Sequence, residues 1–138
     1  EVVRGDQVLT VNSEVGGRLP VHSTASGKAL LAFLPSSVLE SVLAGPLEAC
    51  TDNTITSPDD LRKELHMIRE RGYAVDDGEY GVGVRAVAAP VRDIQGNVIA
   101  EISMPGPSAR LTPDRVPAIA KALMEAAGAI SGKGPPRA

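Results

Sequence analysis

The segment VHSTASGKALLAFLP (residues 21–35) sets small hydroxyl-bearing residues, a Gly-Lys pair and an apolar helical run side by side. Three readings compete for it: a phosphate-gripping loop, a serine nucleophile, or the wall of a pocket that holds a ligand without transforming it. A phosphate loop follows G-x-x-x-x-G-K-[ST], in which backbone amides cradle phosphates and the hydroxyl holds magnesium. Gly27-Lys28 matches the centre, but His22 occupies the first glycine position and Ala29 the hydroxyl position. A serine nucleophile needs a base within reach and a third group to orient that base. Ser23, Ser26 and His22 are neighbours, yet the G-x-S-x-G elbow is absent. His22 is read as a structural hydrogen-bonding residue, and His66, off the Leu61-Leu65-Ile68 face, as solvated. In the third reading Thr24 or Ser23 caps a helix that carries Ala29, Leu30, Leu31 and Leu34 into the core. The small residues Ala25, Ser26 and Gly27 then leave first-turn amides accessible to a ligand oxygen. An ordinary capped core helix has the same local pattern.

Working outward, 138 residues suit one domain with a real core. The aromatic residues are Phe33, Tyr73 and Tyr80, so the core is aliphatic and platforms for stacking bases are scarce. A net charge of −3 gives no electrostatic reason to approach nucleic acid. Cys50 is the single cysteine, which excludes an internal disulfide and makes a reducing, cytoplasmic setting the expectation. No apolar run approaches the roughly 20 residues that span a bilayer, and the opening EVVRGDQVL has no signal-peptide pattern. Asp76, Asp77 and Glu79 show no metal-ligand spacing and read as a solvated strand end; no motif calls for a metal or cofactor.

Two helix starts are well marked. Ser57-Pro58-Asp59 supplies a capping hydroxyl, a first-position proline and a first-turn acid, and Gly72 closes that helix. Thr112-Pro113-Asp114 repeats the signal for a last helix through Val116, Ile119, Leu123 and Ile130, with Pro117 predicting an irregular first turn. SSVLESVLAG reads as a short helix ended by Gly45 and Pro46. QVLTVNSEV (residues 7–15) and YAVDD (residues 73–77) read as strands, and VRAVAAPVRD with NVIAEISMPG as a hairpin about Ile94-Gln95-Gly96. Pro90 predicts an edge position or a bulge, and GKGPPRA a flexible tail over residues 133–138. Segregated helices and a hairpin give an α+β class, mainly antiparallel sheet flanked by helices.

Five segments in series carry a resemblance: G-x-x-L-P-x-H-x-x-A-x-G-K-A-x-L-A, T-x-x-T-I, I-R-x-x-G-Y-x-x-D-D-x-E, G-V-x-x-x-A-x-P-V and S-x-x-G-P. In this order they resemble the effector-binding domain of the isocitrate-lyase-regulator (IclR) family of bacterial transcription factors. The resemblance implies a GAF-like or profilin-like module over residues 1–132 that binds a small metabolite and forms dimers or tetramers. It implies that DNA is bound only through a separate N-terminal winged helix-turn-helix absent from this chain, and that the domain here lacks its first helix and strand.

It also implies a pocket at Leu19, Ala25, Ser26, Asp76, Val84, Ala86 and Ser103. Ala25 and Ser26 would offer amides, Ser103 a hydroxyl, Asp76 an acceptor, and Leu19, Val84 and Ala86 an apolar wall. Pro105 stands where some members have a second serine, and strand periodicity puts Glu101 on the face of Ser103, at the pocket margin. A second carboxyl near Asp76 disfavours a small keto acid and points to a neutral, hydroxylated or aromatic effector. For Ala86 and Ser103 to share a face, the hairpin needs an even loop or a bulge, expected at Pro90. The leading expectation is a sensor and not an enzyme; the alternatives are a ligand-free dimerisation module and a small hydrolase using Ser26 or Ser103 with Asp76 and Glu79.

Overall fold

The computed structural model describes Val3 and residues 15–132. The strand expected at residues 7–15, apart from Val15, and the tail at 133–138 lie outside the described residues. Four helices, α1 (Ala25–Leu31), α2 (Ser36–Ala44), α3 (Pro58–Arg71) and α4 (Val116–Ile130), accompany β1 (Ala74–Asp77), β2 (Val84–Arg92) and β3 (Val98–Pro107). The strands form an antiparallel meander in the order β1-β2-β3, which is the α+β architecture expected.

β2 has helices on both sides, and its alternation assigns residues to two cores. Ala86 and Ala88, with Ala74 of β1, pack against Ala25, Ala29, Leu61, Leu65 and Ile68 of α1 and α3. Val87, Ala89 and Val91 turn the other way, toward Leu111, Val116, Ala120 and Ala127. Alanines on the first face let α1 lie close to the sheet. α3 follows its sequence signals: Ser57 caps it by accepting from the Asp60 amide, and Gly72 ends it at φ 86°. Leu61, Leu65 and Ile68 form its buried stripe, each burial contributing about 2 kcal/mol. Ahead of α4, Pro113–Arg115 makes a 3-10 turn, the irregularity Pro117 predicts. Leu34, assigned to the core from periodicity, falls just past α1 and is exposed instead, and Ile130, the final residue of α4, is exposed as well.

The hairpin closes through residues 93–97, with Asp93 accepting from the Gln95 and Asn97 amides and Gly96 at φ 88°. Its bulge lies between Val91 and Arg92, not at Pro90: Val91 pairs with Ala100 but Arg92 pairs with Val98. Pro90 needs no bulge because β1 ends at Ala74 opposite Ala88, so one flank of β2 is already unpaired there. The extra residue restores the parity that puts Ser103 opposite Ala88, on the face of Ala86.

The outer edge of β1 is covered by side chains. Arg71 donates to the Tyr73 carbonyl (2.8 Å), Lys28 to that of Val75 (2.6 Å) and Asn53 to that of Asp77 (3.1 Å), while Glu79 accepts from the Asp77 amide.

Candidate functional site

Thr24 is the residue that caps α1. Its hydroxyl donates to the Pro20 carbonyl (2.9 Å) and accepts from the Gly27 amide (3.1 Å), so one first-turn amide is taken by the cap. A Cβ on Gly27 would stand 2.4 Å from the Val21 backbone, so this glycine is present for close approach between the helix and the preceding loop. His22 bonds the Glu48 carbonyl through Nε2 (2.8 Å), the structural role expected, and Ser23 lies buried beside Cys50. His66 is exposed and pairs with Glu70.

Lys28, the other half of the Gly-Lys pair, is 1% exposed. Its ammonium donates to both oxygens of Glu79 (2.8 and 2.9 Å) and to the Val75 carbonyl, with Glu64 at 3.4 Å. A cation enclosed without partners would cost several kcal/mol, and these acceptors offset that cost. The arrangement corrects the solvated reading of the acidic cluster: Asp76 is 4% and Glu79 7% exposed. Asp76 accepts from the Glu79 amide (2.7 Å), and Asp77 alone turns outward, to Arg85. Burial raises the pKa of Asp76 and of Glu79, opposed in both by the positive charge of Lys28. The burial of Glu79 is not legible in the sequence, because the lysine that accounts for it lies far away along the chain; Asp76 is placed in a pocket only by the family resemblance.

Ser26 and Ser103 meet at the first turn of α1, while Asp76, Val84 and Ala86 share the sheet face of Ser103. The Ser26 hydroxyl donates to the Ser103 hydroxyl (3.1 Å), joining α1 to β3. Asp76, Ala86 and Pro105 form one row across the three strands, and Ala74, Ala88 and Ser103 the next. Ala25 and Ala86 are buried in one core cluster, and Val84, half-buried opposite Pro107, extends the face. Glu101 stands opposite Pro90 on the same face, two residues from Ser103, and its Oε2 is enclosed without a hydrogen-bond partner. Leu19 is separate: it is 54% exposed in the loop ahead of the helix. Ala88, beside Ser103, is a member of the row that sequence reading did not name.

A polar cavity of about 420 Å³ lies on another side of Lys28, lined by Asn53, Ile55, Glu64, Arg71, Val75, Asp77 and Glu79. It contains none of the predicted pocket positions, and its charged groups largely satisfy one another. Among the described residues there is no cluster of three metal-ligating side chains, and no helix is long and apolar enough to cross a membrane.

Residues 1–132 match the family described as bacterial transcriptional regulator IclR C-terminal. The chain is 35% identical over 130 residues to the transcriptional repressor IclR of Escherichia coli K12, covering 94% of this chain and 47% of that protein. The crystal structure of the Thermotoga maritima IclR superposes with a TM-score of 0.86 at 38% identity, over 93% of this chain and 52% of that one. An IclR homologue from Microbacterium hydrocarbonoxydans complexed with 4-hydroxybenzoate superposes at 0.81 with 34% identity, over 91% of this chain and 50% of that one. The chain thus spans about half the length of the relatives it matches.

Proposed function

The chain belongs to the IclR family of bacterial transcriptional regulators, as its C-terminal domain, and we propose that residues 1–132 bind a small effector between the first turn of α1 and the sheet. The observation that carries this reading is the Ser26–Ser103 hydroxyl pair, set beside alanines rather than bulky side chains. Two elements distant in sequence there present polar groups above a small-residue floor, the composition of a small-molecule site.

The effector we propose is neutral, hydroxylated or aromatic. Asp76 is buried beside Ala86, and Glu101 adds a carboxyl near Ser103, so a compact anionic keto acid would meet two acids in a low-dielectric setting. The 4-hydroxybenzoate of the Microbacterium homologue supports an aromatic hydroxylated class. In an intact regulator the effector would act through unequal affinity for two arrangements of the domains. Only such a difference shifts the population that binds DNA. DNA contact is assigned to a winged helix outside this chain, in keeping with a net charge of −3. Assembly as a dimer or tetramer and a cytoplasmic setting complete the proposal.

The hydrolase alternative loses its base. His22 is held by the Glu48 carbonyl, Glu79 by Lys28, and the Ser26 hydroxyl by Ser103. A thermal-shift screen of hydroxylated and aromatic metabolites tests the reading. The expected hit stabilises the chain by about 2 kcal/mol or more at saturation and loses that effect in Ser103→Ala. Tight calorimetric binding of pyruvate or glyoxylate would overturn the ligand class.

A further inference from the structure

Glu101 makes an unusual use of a strand position. Its Oε2 is shut away from solvent with no donor in reach, whereas buried polar atoms in folded proteins nearly always have a partner. Two residues along the same strand face, roughly 6.8 Å away at the backbone, Ser103 shows the complementary lack. Its hydroxyl accepts from Ser26 and donates to none of the described residues. A free acceptor and a free donor thus stand side by side at the proposed site.

Resting on the effector reading above, we infer that Glu101 is a specificity-determining residue: the effector carries a hydroxyl that accepts from Ser103 Oγ and donates to Glu101 Oε2. A hydroxyl does both with one oxygen. A keto or carboxylate oxygen only accepts and leaves Glu101 unmatched, while an ammonium only donates and leaves Ser103 unmatched. The preference comes mainly from the penalty on the wrong ligand, which seals in an unpaired oxygen. The nearest cation on this face of β2, Arg92, is not available to replace the ligand: it lies over the Phe33 ring and donates to the Gly96 carbonyl.

An acceptor kept for a ligand is a liability without one, so Glu101→Met raises the melting temperature of this chain, by about 3 °C. A fall would identify Glu101 as a structural residue and overturn the inference. Calorimetric titration of the wild-type chain, Glu101→Met and Ser103→Ala with matched pairs, 4-hydroxybenzoate against benzoate and lactate against pyruvate, supplies the second arm. In the wild type the hydroxyl-bearing member of a bound pair is tighter by about tenfold, one hydrogen bond's worth, and in Glu101→Met the ratio falls to within about twofold. Equal affinity within a pair that binds and is weakened by Ser103→Ala would overturn the role of Glu101 while leaving the site intact. Binding by no member of either pair would remove this effector class and the inference with it.

Discussion

On the side of the sheet covered by α4, Val87, Ala89 and Val91 meet Leu111, Val116, Ala120 and Ala127. On the side covered by α1, the rows carry Asp76, Ser103 and Glu101 among Ala74, Ala86 and Ala88. The same three strands therefore present an aliphatic face and a face of small and polar groups. The first gains stability from burial and dispersion. The second encloses groups whose desolvation opposes folding and is offset only where partners are supplied. Lys28 and Glu79 have such partners; Glu101 Oε2 does not. A face that retains an unmet polar atom beside a helix of small residues is the one on which the proposed effector would sit.

The sharpest way to break this contrast is at Lys28. Lys28→Met leaves Glu79 buried without its cation and lowers stability by about 4 kcal/mol in urea denaturation, whereas the pair Lys28→Met with Glu79→Leu recovers most of that loss. On the opposite face, Val87→Ala costs about 2 kcal/mol through the cavity it leaves, and effector response in the thermal-shift screen stays intact. Acid titration separates the faces further. A carboxyl whose pKa is raised on folding holds more protons folded than unfolded. Its stabilising contribution is complete below its ordinary value, about 4, and is lost as pH rises through the raised one. Asp76→Asn, measured against the wild type, therefore gains relative stability from pH 4 to pH 7. The smallest effect belongs to Ser103→Ala, which changes stability by less than about 1 kcal/mol yet removes the ligand-dependent shift.

The two faces also differed in how far the sequence revealed them. Local chemistry announces α3, because its cap, proline and closing glycine act on adjacent residues and its apolar stripe repeats at helical spacing. The grouping of Ser26, Asp76, Ala86 and Ser103 comes from the ordered motifs of a family; the register sets Asp76 opposite Ala86 and Ser103 on the same face, and Ser26 bonds Ser103. The burial of Glu79 is not legible locally, because an acid at a strand end looks solvated until its distant lysine is known. Pro90 predicts a bulge because it lacks an amide hydrogen. The early end of β1 removed that constraint, and the irregularity moved to the hairpin's own closure.

The occupied edge of β1 bears on how such domains meet one another. An edge strand with free carbonyls is a template onto which another chain can polymerise. Here the Tyr73, Val75 and Asp77 carbonyls are already spoken for by Arg71, Lys28 and Asn53. Copies of this chain gain little from sheet-to-sheet growth along that border, even at high concentration. Any assembly that uses this side has to be written in side-chain contacts, which a regulator can form and dissolve, rather than in a continuous ribbon of backbone, which tends toward fibres.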